Sequence, residues 1–194
     1  MGTFITNDKE KNLKDRIRKL IERSSELKFL VGFFYFSGAM ELYESLKRLH
    51  SEGKLNDGHL RILVGLSIDE DNYGIYESAR ILEKKNKDLI KDDFFRSIQK
   101  AFTSKDLDKK EVYEQVDFFV KLLSEGKIVL RKTKDPNHAK LYLFKMNDDV
   151  KDVLTDLFIT GSSNLTRAGF ELQNEFNVEI KDFGFEEAER YFDD

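Results

Sequence analysis

The chain has no cysteine, a single proline and no apolar stretch long enough to cross a membrane. Without cysteine there is no disulfide framework and no thiolate metal site, a usage compatible with a reducing cytoplasm. The longest apolar run, Phe29 to Phe36, is strand-sized and interrupted by Gly32, far short of the ~18 residues a span requires. Met1 to Arg18 mixes both signs of charge and has no apolar segment of the kind a signal peptide needs. Internal repeats, low-complexity tracts and a Pro/Gly linker are also missing. These absences favour one cytoplasmic domain over residues 1–194.

Hydrophobic residues make up 40% of the chain, with 17 phenylalanines, enough for a packed core, and the 36% charged fraction implies helices with solvated faces. The net charge of −4 is a poor match to a protein that coats nucleic acid nonspecifically. Its distribution says more. Residues 127–145 carry a local +5, whereas residues 181–194 carry −4. The basic stretch coincides with the motif described below.

Apolar periodicity organises the rest. Thr6-Asn7-Asp8 followed by Glu10 reads as a helix start, and Leu13, Ile17, Leu20 and Ile21 then form a stripe at helical spacing. Leu27 to Tyr35 reads as a buried central strand, followed by a helix from about Ala39 to Leu49. His59 to Leu66, a strand starting at Ile128, Ala139 to Phe144, Leu157 to Thr160 and Phe176 to Ile180 read as further strands. Residues 73–125 read as a helical insertion, its aromatics (Phe94, Phe95, Phe102, Tyr113, Phe118, Phe119) assigned to the core. Strands alternating with helices predict an α/β fold, a mixed β-sheet flanked by helices in an α/β/α sandwich.

Chemistry concentrates near the C-terminal end. His138-Ala-Lys140 is followed by Gly161-Ser162-Ser163-Asn164 and then by Glu175. On an extended chain residues i and i+2 share a face, so His138 and Lys140 are expected side by side. A neutral imidazole can attack phosphorus, and Lys140 offers a compact charge to oxygens that gain negative charge. Gly161 would let the backbone approach an anion closely, with Ser162, Ser163 and Asn164 supplying hydroxyl and amide donors. Glu175 would hydrogen-bond the far nitrogen of His138 and fix its tautomer. His50 and His59 read as structural: His59-Leu60-Arg61 imitates the first half of the pattern, but no Gly-Ser-x-Asn follows it.

His-x-Lys followed by Gly-Ser-x-Asn-Leu-Thr and a downstream Asn-Glu resembles the HKD motif of the phospholipase D superfamily, over roughly residues 128–180. The resemblance implies a phospholipase-D-like fold, a covalent phosphohistidine intermediate, no metal or other cofactor, and the same roles for His138, Lys140, Asn164 and Glu175. One position departs: the family's Asp five residues beyond the motif lysine is Lys145 here. That leans toward the nuclease-like branch and away from lipid hydrolysis, as do the single motif copy and the lack of an amphipathic membrane helix. The segment Phe29 to Gly38, and an end at Tyr191 to Asp194 directly after an acidic amphipathic stretch, also resemble the phospholipase-D-like domains ahead of superfamily-2 helicase modules.

The expectation is therefore a metal-independent phosphodiesterase or nuclease acting on nucleic acid, DNA ahead of RNA. The reaction needs a nucleophile for phosphorus and an acid for the leaving oxygen. One motif supplies one histidine, so the active site is expected to be shared across a homodimer. The alternative is a non-catalytic nucleic-acid-binding accessory domain of a longer, helicase-like protein, favoured by the negative net charge and by Lys145.

Overall fold

The computed structural model describes residues 4–8, 12–34, 36–67, 110–167, 169–170 and 174–194. Among these residues seven strands form one sheet: β1 (Phe4–Ile5), β2 (Ser24–Phe33), β3 (Leu60–Ser67), β4 (Ile128–Lys132), β5 (Leu141–Met146), β6 (Leu157–Gly161) and β7 (Asn177–Lys181). Their order across the sheet is β1-β7-β6-β5-β2-β3-β4. Strands β2, β3 and β4 run parallel, and every other pairing is antiparallel. The mixed sheet expected from the sequence is thus present, with β5 at its centre and β2, parallel to β3 and antiparallel to β5, as the seam between its two halves.

Among the described residues five α-helices accompany the sheet: α1 (Leu13–Ile21), α2 (Phe36–Met40), α3 (Tyr43–Ser51), α4 (Lys110–Ser124) and α5 (Phe185–Asp193). Helix α1 buries the predicted stripe of Leu13, Ile17, Leu20 and Ile21 completely. Its start differs from the sequence expectation. The Asn12 side chain accepts the Asp15 amide and caps the helix. Asn7 instead sits at φ 58°, a turn conformation that Asn tolerates, and its side chain accepts the Leu13 amide. Of the expected helical insertion at 73–125, residues 73–109 lie outside the described part, and Lys110 to Ser124 is helical.

Strand alternation sorts the side chains onto two faces. Tyr142, Phe144 and Met146 of β5 join Leu27, Phe29 and Val31 of β2 in the larger core, beneath α1, α3 and α4. Leu141, Leu143, Leu30 and Phe158 pack on the opposite face against Phe192 of α5. Helices on both faces give the expected three-layer sandwich. Among the described residues no helix is long and apolar enough to cross a membrane.

Two buried charges are anchored by partners. Lys28, 5% exposed at the centre of the sheet, donates to Glu189 at 2.9 Å and to Asp193 at 2.7 Å, which fastens α5. Burial alone would lower the Lys28 pKa, but its bonds to Asp193 and Glu189 reverse the effect and raise it. On the other face Glu179 of β7 takes a bidentate pair from Arg16 of α1 and a 2.8 Å contact from Lys181. Burial pushes its carboxyl up, and the two cations hold it below the ordinary value.

His59 is the exception. It precedes β3 at the end of the sheet remote from His138, and it is buried with neither ring nitrogen hydrogen-bonded to any described residue. Burial lowers its pKa to about 4. The unfolded chain binds a proton near pH 6.5, so stability falls as pH drops from there and levels off below the folded value. The full loss is roughly 3 kcal/mol at about 1.4 kcal/mol per pKa unit. His59→Leu is expected to abolish this dependence. Urea titrations from pH 7 to pH 4 should show the variant gaining on the parent, and parallel curves would contradict the assignment.

Candidate active site

The rim of the sheet where β2, β3, β4 and β6 end and β5 and β7 begin collects the motif. Leu141 pairs with Leu30 and Thr160, and Gly161 pairs with Asn177. His138 and Lys140 therefore enter β5, Ser162 to Asn164 leave β6, and Glu175 enters β7, on three neighbouring strands. Ligands of open α/β sheets sit at such a rim of strand ends.

The strand begins at Leu141, two residues later than the sequence suggests, so His138 and Lys140 lie in the extended approach to it. The expected alternation still holds around them. Ala139 packs with Leu141 and Leu143 on the α5 face, while Tyr142 and Phe144 continue the other face into the larger core. The His138 side chain is exposed. The Lys140 ammonium donates to the His138 carbonyl at 2.7 Å, and the Lys140 carbonyl accepts the Thr160 hydroxyl at 2.9 Å. Lys145 faces α5, 3.9 Å from Glu189. The position that departs from the HKD pattern thus has a structural partner on the far face, away from the rim.

The three residues after Gly161 divide their work. The Ser162 hydroxyl donates to the Glu175 carboxylate and accepts the Phe176 amide at 3.1 Å. Glu175 is thereby drawn to Ser162, whereas the sequence put it against His138: the ladder ends at the Gly161–Asn177 pair, which leaves residues 162 and 175–176 adjacent. Ser163 is fully buried. Its hydroxyl accepts from Asn177 Nδ2 at 2.9 Å, and its amide donates to Asn177 Oδ1 at 3.3 Å. Asn164 is half-buried, and its carbonyl accepts the Thr166 amide at 2.8 Å. The reason for glycine at 161 also differs from the anion-approach argument. A Cβ there would lie 2.3 Å from the Phe176 carbonyl oxygen, so it is β7 that requires the missing side chain.

Sequence reasoning missed the parts that hold these residues. The buried Tyr142 hydroxyl donates to the Ser163 carbonyl at 2.8 Å and bridges the two halves of the motif. Its pKa is pushed well up, by burial first and by the nearby Glu175 charge second. Asn137 accepts the Ala139 amide at 2.8 Å, a local Asx-type bond, and donates from Nδ2 to the Tyr191 hydroxyl of α5 at 3.0 Å. Its own amide donates to the Gly65 carbonyl at 2.8 Å. A Cβ on residue 65 would meet the Asn137 carbonyl oxygen at 1.9 Å, so the end of β3 must be bare there. An Asn directly before a motif histidine was the available signal. Among the described residues no group of three or more His, Cys, Asp or Glu is placed to hold a metal ion.

The family profile described as "Cardiolipin synthase, PLD-like domain" matches residues 17–194. Among solved structures, the crystal structure of Nuc, a phospholipase D family member from Salmonella typhimurium, aligns at 14% identity with a TM-score of 0.46, covering 98% of this chain and 88% of that one. No curated protein matches the chain.

The Asn137 bracket yields a structural prediction. Asn137→Ala removes the acceptor for the Ala139 amide and the link to Tyr191, at a cost of about 1 kcal/mol for a part-exposed hydrogen bond. Amide exchange at Ala139 should speed up at least fivefold while exchange in β2 stays unchanged. Unaltered protection at Ala139 would show that the bracket does not hold the His138 segment.

Proposed function

The chain belongs to the phospholipase-D-like family, and from that membership we propose that it is a metal-independent phosphodiesterase acting on nucleic acid, with an active site completed by a second copy of the chain. The observation that carries this reading is the gathering of His138, Lys140, Ser162, Asn164 and Glu175 at one rim of three neighbouring strands. The family is of the phosphodiesterase kind; the nucleic-acid substrate, the covalent intermediate and the pairing of chains are the finer parts of the proposal.

The chemistry follows from the residue types. A neutral His138 imidazole nitrogen attacks phosphorus, so a P–N bond forms as the P–O bond to the leaving group breaks. The leaving oxygen takes a proton from the imidazolium of a second His138, and the same imidazole then removes a proton from the water that displaces phosphorus from nitrogen. Lys140 and the Asn164 amide stabilise the non-bridging oxygens as charge builds on them. The Ser163 hydroxyl is fully buried against Asn177, which leaves the exposed Ser162 as the better serine donor once its bond to Glu175 is exchanged for a phosphate oxygen. That exchange frees Glu175 to orient a histidine. Each chain brings one qualified histidine, so two must meet, and a two-fold contact places both beside one phosphate. Exposed Lys132 and Lys134, just ahead of His138, together with Lys140, favour a polyanionic substrate.

Hydrolysis of a chromogenic phosphodiester and of DNA should persist in EDTA and fall roughly 10³-fold or more in His138→Ala. Activity that vanishes with chelator, or survives His138→Ala, would overturn the reading. Mixed dimers of one parent and one His138→Ala chain should be nearly inactive, because a shared site needs both histidines. Half the parent activity would instead mean independent sites.

A further inference from the structure

Two phenylalanines stand in the open beside the site. Phe176 is 55% exposed and Phe4 51%, and their rings touch, with centroids 5.3 Å apart and planes inclined by 31°. The contact is built by register. Phe4 pairs opposite Val178, two residues beyond Phe176, so both rings leave the same face of the β1–β7 edge. Scattered exposed apolar residues are ordinary, but a pair in ring contact one residue from Glu175 is not scattered. Phe176 is also bonded to the phosphate-holding turn. Its amide donates to the Ser162 hydroxyl at 3.1 Å, and its carbonyl accepts the Ser162 amide at 3.2 Å.

Register puts the two rings on the α5 side of the sheet, since Ile5, next to Phe4, points into the larger core. His138 and Lys140 alternate onto the core side, so a strand that reaches both passes over the strand ends along the rim. Neighbouring strands lie about 4.8 Å apart, so β7 is about 10 Å and β1 about 14 Å from the strand that His138 enters. On the other side of that strand, the rim leads past β2 and β3 to the end of β4 and the exposed Lys132 and Lys134. Lysines suit a phosphate backbone, whereas flat exposed rings suit the faces of bases. A duplex keeps its base faces stacked inside, so aromatic rings at this spacing serve only an unpaired strand.

We propose that Phe176 and Phe4 form a stacking platform for unpaired bases, so that the site takes single-stranded nucleic acid, its backbone crossing the rim from the Lys132–Lys134 side to the β1 edge. The inference rests on the phosphodiesterase reading for its central phosphate and adds the strandedness of the substrate. The platform sets affinity for a strand without choosing its sequence, since every base has a face to stack.

The test is binding, measured by anisotropy of a labelled oligothymidine in a His138→Ala background so that no turnover intervenes. Phe176→Ala should weaken binding about 5- to 100-fold, the range for loss of one stacked base. Phe176→Trp should retain the affinity, while Phe176→Leu, apolar but without a ring face, should not. An oligonucleotide of the same length with abasic sites should bind weakly and be indifferent to Phe176→Ala. Equal affinity for natural and abasic strands would overturn the proposal. So would a duplex bound as tightly with the same dependence on Phe176, or a Phe176→Ala effect explained by a change in solution mass, which would make the pair a contact between copies. Hydrolysis of a small phosphodiester by the parent chain separates the two claims. An inactive protein with Phe176-dependent strand binding fails the function reading and keeps this one; an active protein that binds abasic strands equally well does the reverse.

Discussion

One hydrogen bond, from the Tyr142 hydroxyl to the Ser163 carbonyl, joins the strand that His138 and Lys140 lead into to the turn that carries Ser162 and Asn164. It lies in the largest core, where an unmade bond would leave both a buried hydroxyl and a buried carbonyl unsatisfied. Phe29 and Phe170 pack edge-on against the Tyr142 ring and fix its direction. The adjoining Asn177–Ser163 pair closes the same turn from the β7 side. The rim is therefore set by core packing, and the exposed groups on it sit on a rigid base.

The charge distribution has a comparable logic. The acidic C-terminal helix, which makes the chain net negative, directs Glu189 and Asp193 to the buried Lys28 and brings Glu189 near Lys145. These acids are engaged in holding α5 to the sheet, on the face opposite the core beneath Tyr142. The sign of the total charge consequently says little about the rim, where Lys132, Lys134 and Lys140 gather. The Lys145 departure from the HKD pattern belongs to the same helix-anchoring system.

Much of this was legible in the sequence because it follows from period and spacing. The alternation of Ala139, Leu141 and Leu143 against Tyr142 and Phe144, the α1 stripe and the mixed sheet all come from strand alternation and helical repeat. What was not legible depends on contacts distant in sequence. The Ser162–Glu175 bond follows from where the β6–β7 ladder ends, and the need for glycine at 161 comes from the Phe176 carbonyl. The true start of α1 turns on Asn12, a residue no stronger as a capping signal than Thr6, Asn7 or Asp8. Strand β1 has two residues and is defined only by pairing with β7, so no periodicity announces it. The exposure of Phe176 escaped notice for the same reason: alternation assigns it a face but cannot show that the face is left open.

The central claim is that His138 becomes covalently bonded to phosphorus. Rapid mixing with excess phosphodiester, an alkaline quench and peptide mass spectrometry tests it directly, because a phosphoramidate survives base and is lost in acid. The account predicts a substrate-dependent phosphoryl adduct on His138, acid-labile, and absent from His138→Ala. A turning-over enzyme whose only adduct lies on a serine, or which shows none at any quench time while Lys140→Ala also leaves turnover intact, would contradict it.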